Sequence, residues 1–96
     1  MDRQTALSLL ALHKPALQNQ FGVQRLALFG STARNTAQEG SDVDVWVTFN
    51  APATSKQYFG ARFYLEDVLK CQVDLVTDKA LRKELRPFVE RDAVHV

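Results

Sequence analysis

The stretch Leu26 to Val47, LALFGSTARNTAQEGSDVDVWV, decides the reading of the whole chain. It reads as a strand that ends in Gly30-Ser31, a polar connection, and a second strand that carries Asp42 and Asp44. A strand ending in Gly-Ser and opening a helix presents unpaired backbone N–H groups and a hydroxyl to an anion, which makes a phosphate seat. Side chains at i and i+2 of a strand share a face about 6.5 to 7 Å apart, so Asp42 and Asp44 project together. Two parallel carboxylates suggest a divalent cation.

Outward from that stretch, the first helix is predicted to start at an Asp2 cap, with Leu7, Leu10 and Ala11 forming one apolar stripe. Pro15 is expected to interrupt it with a kink, or to open a short second helix from Pro15 to about Gln20, before Gly22 stops it. Val23 to Phe29 is a buried strand, and Gly30 gives it a tight exit with no Cβ to obstruct a ligand. Ser31 is expected to cap a short helix, Thr32 to about Ala37, and Gln38 to Ser41 is a turn.

The strand Asp42 to Phe49 alternates cleanly: Val43, Val45 and Val47 on one face, Asp42, Asp44, Trp46 and Thr48 on the other. A loop follows over Asn50 to Ser55, then a helix over Lys56 to Lys70 that covers the sheet. QVDLVT, Gln72 to Thr77, is a third strand with Val73 and Leu75 on one face and Asp74 on the other, mid-strand. Asp78 is expected to cap a short helix through about Glu84. Pro87 opens a last helical turn ahead of a short extended segment at Ala93 to Val96. The fold class is therefore α/β, a small mixed sheet flanked by helices, in one domain over residues 1–96.

Composition narrows the function. A formal net charge of +1, with both signs interspersed, argues against a protein that binds nucleic acid through its overall field. The single cysteine, Cys71, can form no internal disulfide and reads as a packed thiol in a reducing compartment. No apolar run approaches the roughly 20 residues of a membrane span, and no basic start precedes a secretory apolar region, so a cytoplasmic location is expected. His13 and His95 lack neighbours at metal-ligand spacing and read as surface residues, whereas Trp46 and the aromatics of the third helix read as core. Gly30 to Arg34 is not a Walker loop, which needs Gly-Lys-Ser/Thr.

At an effective dielectric near 20, two carboxylates about 5 Å apart repel by roughly 3 kcal/mol, and a third adds to that. Such a triad persists if the strands are not neighbours, if protons are taken up, or if Mg²⁺ neutralises it.

Gly30-Ser31, ten intervening residues and then Asp42-Val43-Asp44, with Asp74 downstream, resemble the nucleotidyltransferase signature of the DNA polymerase β superfamily. The resemblance is closer still to the minimal nucleotidyltransferases, through Leu-Phe-Gly-Ser-Thr-Ala-Arg, Ser-Asp-Val-Asp and Val-Asp-Leu-Val. Asn35 departs from that pattern, in which many members have Gly, and bears on the turn beside the phosphates. The resemblance implies that Asp42 and Asp44 hold two Mg²⁺ ions, that Asp74 completes one site and helps deprotonate an attacking hydroxyl, and that Gly30 and Ser31 grip the β and γ phosphates of ATP. Arg34 is either a further phosphate contact or a solvated helix-face arginine. Within 96 residues no separate domain that holds an acceptor is expected. For the minimal group, the resemblance implies an antitoxin that transfers AMP to a tyrosine of a small helical HEPN ribonuclease toxin. Two alternatives stay open: a binding module that silences its partner by occlusion, and transfer to another acceptor presented by a separate subunit.

Overall fold

The computed structural model describes residues 1–96. Asp2 caps the first helix, α1 (Arg3–Phe21), by accepting from Thr5 N–H at 2.7 Å. Gly22, at φ 72°, closes the helix by donating to the Gln18 carbonyl at 3.1 Å. Contrary to expectation, Pro15 neither breaks α1 nor starts a second helix. Pro15 and Ala11, whose carbonyl loses its partner, are both exposed, so water can replace the missing bond. Leu10 and Leu17, fully buried on either side, hold the two halves in one line.

Strand β1 (Val23–Phe29) leads into α2 (Gly30–Ala33), and β2 (Val43–Phe49) leads into α3 (Ser55–Leu69). Thr54 and Gln57 form a reciprocal capping box at the start of α3. Then come β3 (Val73–Thr77), α4 (Arg86–Asp92) and β4 (Val94–His95). The expected helix from Asp78 to Glu84 is instead a run of turns, while the final helix extends well past the single turn expected after Pro87.

The four strands make one mixed sheet in the order β3-β2-β1-β4. β1 is antiparallel to β2 and β4, and β2 is parallel to β3 with α3 as the crossover. Period-two alternation divides the sheet into two faces. Val43, Val45, Val47, Leu26, Leu28 and Leu75 pack beneath α1 and α3 against Leu10, Leu17, Ala61 and Leu65. The other face carries Asp44, Trp46 and Thr48, and α4 lies on it, covering Ala27 of β1.

The leucines of α1 divide accordingly. Leu10 is buried, Leu7 and Leu9 are half-buried against the core, and Leu12 is 71% exposed. Leu10→Ala should therefore cost about 2 to 5 kcal/mol, and Leu12→Ala within about 0.5 kcal/mol of nothing. Pro15→Ala should raise stability by about 1 to 3 kcal/mol, because the exposed helix interior regains a hydrogen bond. Urea denaturation of the three variants reads all three values. A destabilised Pro15→Ala would contradict the continuous helix.

Candidate active site

The strand register assembles the site. Asp44 stands opposite Phe29 of β1 on one side and Asp74 of β3 on the other. Asp74 is the second residue of β3, not mid-strand, so both carboxylates lie at the end of the sheet where β1 exits into Gly30-Ser31. Gly30 has φ +73°, and a side chain there would run into the Asp44 carboxylate. Both the backbone conformation and the adjoining carboxylate thus demand glycine.

Ser31 is not the cap that was expected. Phe29 occupies the cap position without a side-chain bond, and Ser31 sits inside the four-residue α2. The helix ends early because Asn35 turns left-handed at φ 60°, a conformation that glycine or asparagine adopts most readily. The departure from glycine at this position therefore keeps the turn.

Asp44 is half-buried, and its carboxyl is pushed up to about 6. Burial is the largest cause, followed by the charges of Asp74 and Asp42 and a hydrogen bond with Asp74, while Arg34 pulls the other way. Asp42, just ahead of β2, is exposed. The three carboxylates do not converge into a ready-made metal cage, since no group of three His, Cys, Asp or Glu side chains is so arranged. Like-charge repulsion acts most freely on the solvated member, Asp42. The in-register pair of Asp44 and Asp74 remains, an all-oxygen donor set in which one member holds a proton unusually tightly. That donor chemistry fits a hard divalent cation, which would relieve the same repulsion.

Arg34 is half-exposed and lies close enough to Asp44 to oppose its upward shift. Its guanidinium pairs with Asp92 of α4 and ties that helix to α2. Asp78, expected as a helix cap, accepts instead from Trp46 Nε1 at 2.6 Å and Thr48 Oγ1 at 3.0 Å. Trp46 lies one pleat beyond Asp44, its ring 5.8 Å from His95 and the Arg86 guanidinium 5.5 Å from its centroid. Trp46 is therefore a half-buried strut on the carboxylate face, not part of the core. The signal for Asp78 was in the spacing: four residues past Asp74, it shares that face. His13 is not a plain surface residue either, since its Nδ1 meets Tyr64 Oη at 2.8 Å. Cys71 packs against the core, and burial raises its thiol.

A depression of about 550 Å³ lies at the opposite ends of β2 and β3 beside Pro52, Tyr58 and Phe59. It is lined by none of the three carboxylates, and the chemistry follows the carboxylates.

A carboxyl that titrates near 6 when folded and near its ordinary 3.8 when unfolded stabilises the fold only while protonated. That contribution is complete below about 3.8 and is lost as pH rises through 6. In chelator at pH 8, Asp44→Asn should therefore be more stable than the unaltered chain by about 1 to 2 kcal/mol, after discounting for solvent screening. The difference should close between pH 6 and 4. Denaturant titrations across that range check it, and a less stable Asp44→Asn at pH 8 would contradict it.

A model of the nucleotidyltransferase domain matches residues 10–95. Protein adenylyltransferase MntA of Thermococcus cleftensis is 37% identical over 89 residues, spanning 93% of this chain and 90% of that relative. A solved structure described as a candidate minimal nucleotidyltransferase superposes with a TM-score of 0.77 at 33% identity, over 98% of this chain and 95% of the other. A Shewanella oneidensis structure, a tri-AMPylated HEPN toxin in complex with its MNT antitoxin, shares the fold with a TM-score of 0.66 at 20% identity, over 97% of this chain and 70% of that one. With the carboxylates paired across β2 and β3 beside the glycine turn, the chain belongs to the nucleotidyltransferase family, among its minimal members, and is a nucleotidyl-transferring enzyme.

Proposed function

We propose that the chain is a protein adenylyltransferase antitoxin that transfers AMP from ATP to a tyrosine of a HEPN-type toxin. The observation that carries this reading is the Asp44–Asp74 pair, in register across β2 and β3, with Asp44 in contact range of the Gly30 turn. Phosphate seat and carboxylates thereby share one end of the sheet, as in-line displacement at an α-phosphorus requires. The name of the Thermococcus relative supports a protein acceptor and an adenylyl group. The fold shared with the antitoxin bound to the tri-AMPylated toxin supports the toxin as that acceptor.

In this reading, backbone N–H groups at Gly30 and Ser31, with Ser31 Oγ, hold the β and γ phosphates. Asp74, at the outer strand β3, accepts the proton of the tyrosine hydroxyl. The phenolic oxygen then bonds to the α-phosphorus as the bond to the departing diphosphate breaks. Asp44 and Asp74, joined by the exposed Asp42, would hold Mg²⁺ as two ions, which would supply charge neutralisation for nucleophile and leaving group. Arg34 has no phosphate role here, because its guanidinium is engaged by Asp92.

Incubation of the chain and partner with Mg²⁺ and α-labelled ATP tests the reaction. Label should reach the partner, vanish in chelator, fall at least roughly a hundredfold with Asp42→Ala/Asp44→Ala, and disappear when the acceptor tyrosine becomes phenylalanine. Full neutralisation of the toxin by Asp42→Ala/Asp44→Ala without label would establish occlusion in its place.

A further inference from the structure

Leu85 and Phe88 are large apolar side chains left 51% and 56% exposed on the carboxylate face of the sheet. Leu85, Phe88 and Asp92 are spaced by three and four residues, so they share one side of α4. Asp92 directs that side toward α2, where it binds Arg34, immediately after the Gly30-Ser31 turn. The opposite fate befalls Arg86, which is held by Glu90 at 2.9 Å and lies over Trp46. Around the apolar pair stand Arg82, Lys83 and Arg91, all exposed and none in an ion pair, against the exposed carboxylates of Glu84 and of Glu90, the latter already paired with Arg86. Arg91 spreads its guanidinium over the Phe88 ring at 5.2 Å.

We propose that this ridge is where the acceptor chain lands: a partner segment that presents an apolar side chain to Leu85 and Phe88 and carboxylates to Arg82, Lys83 and Arg91. It rests on the reading above that the acceptor is a second protein. A second copy of this chain fits poorly, because a two-fold contact would set the three cations against themselves. An acidic partner gains from them in both encounter rate and register. The ridge runs along α4 from the far end of the sheet, where Arg86 lies with Gln24, Arg25 and Thr48, to Asp92, which holds Arg34 just past the Gly30-Ser31 turn, so a segment laid along it leads toward the carboxylate end.

Leu85→Ser/Phe88→Ser removes the anchor without touching the core or the site. With folding verified by an unchanged melting temperature, its Kd for the HEPN-type partner by calorimetry should weaken at least tenfold. The KM for partner in labelled AMP transfer should rise by a similar factor. Both kcat and the thermal shift produced by Mg²⁺ with ATP should stay as in the unaltered chain. Arg82→Glu/Lys83→Glu should slow association and flatten its salt dependence. An unchanged Kd and KM in Leu85→Ser/Phe88→Ser overturns the proposal, as does a homodimer in sedimentation that this variant dissolves. If the unaltered chain transfers no label while the variant still loses binding, the docking ridge stands and the transfer reading falls. Equal labelling by both, with equal KM, removes the ridge and leaves the transfer reading in place.

Discussion

Two carboxylates held side by side across parallel strands are the constraint on which the rest of the molecule depends. Asp44 and Asp74 are register partners, so neither can move away without breaking the β2–β3 ladder. Their repulsion, roughly 3 kcal/mol at about 5 Å, must be offset elsewhere. The same two strands supply the offset from their opposite face, where Val43, Val45, Val47, Val73 and Leu75 are almost wholly buried. At about 1.5 to 3 kcal/mol for each such side chain, burial outweighs the electrostatic cost several times over. Alternation along one strand therefore lets a stable core carry an unstable row of charge.

The glycine turn obeys the same constraint. With the Asp44 side chain in the space a Cβ of residue 30 would take, the anion-binding turn and the carboxylate constrain each other. On the far side, α4 braces the row. Its last residue holds Arg34, its first lies over Trp46, and Trp46 is fastened to Asp78 beyond β3. The site is thus framed by contacts made between elements far apart in sequence.

That difference in range explains what could be read from the residues alone. The sheet, its two faces and the carboxylate row follow from short-range pattern: Val43-Asp44-Val45-Trp46-Val47 alternates, and Val73-Asp74-Leu75 repeats it. Side-chain destinations do not. Asp78 sits where a helix cap would, yet bonds across 30 and 32 residues to Thr48 and Trp46, and Arg34 spans 58 residues to Asp92. His13 likewise finds Tyr64 51 residues away. Pro15 misleads for another reason, since local propensity forbids what Leu10 and Leu17 enforce by packing.

Arg34 shows how these constraints meet. It is the one cation that opposes the upward shift of Asp44, and it does so while its guanidinium is bound to Asp92. An arginine so engaged can soften the field at Asp44 but cannot cancel the charge of Asp74, which lies in register with it. Burial first, and the residual repulsion after it, leave Asp44 holding its proton up to about pH 6. Near neutrality Asp44 is therefore mostly ionised, with Asp74 in register beside it. A cation that enters with phosphates is drawn by the very energy that burdens the fold without it, so ligand binding and stability are two expressions of one interaction.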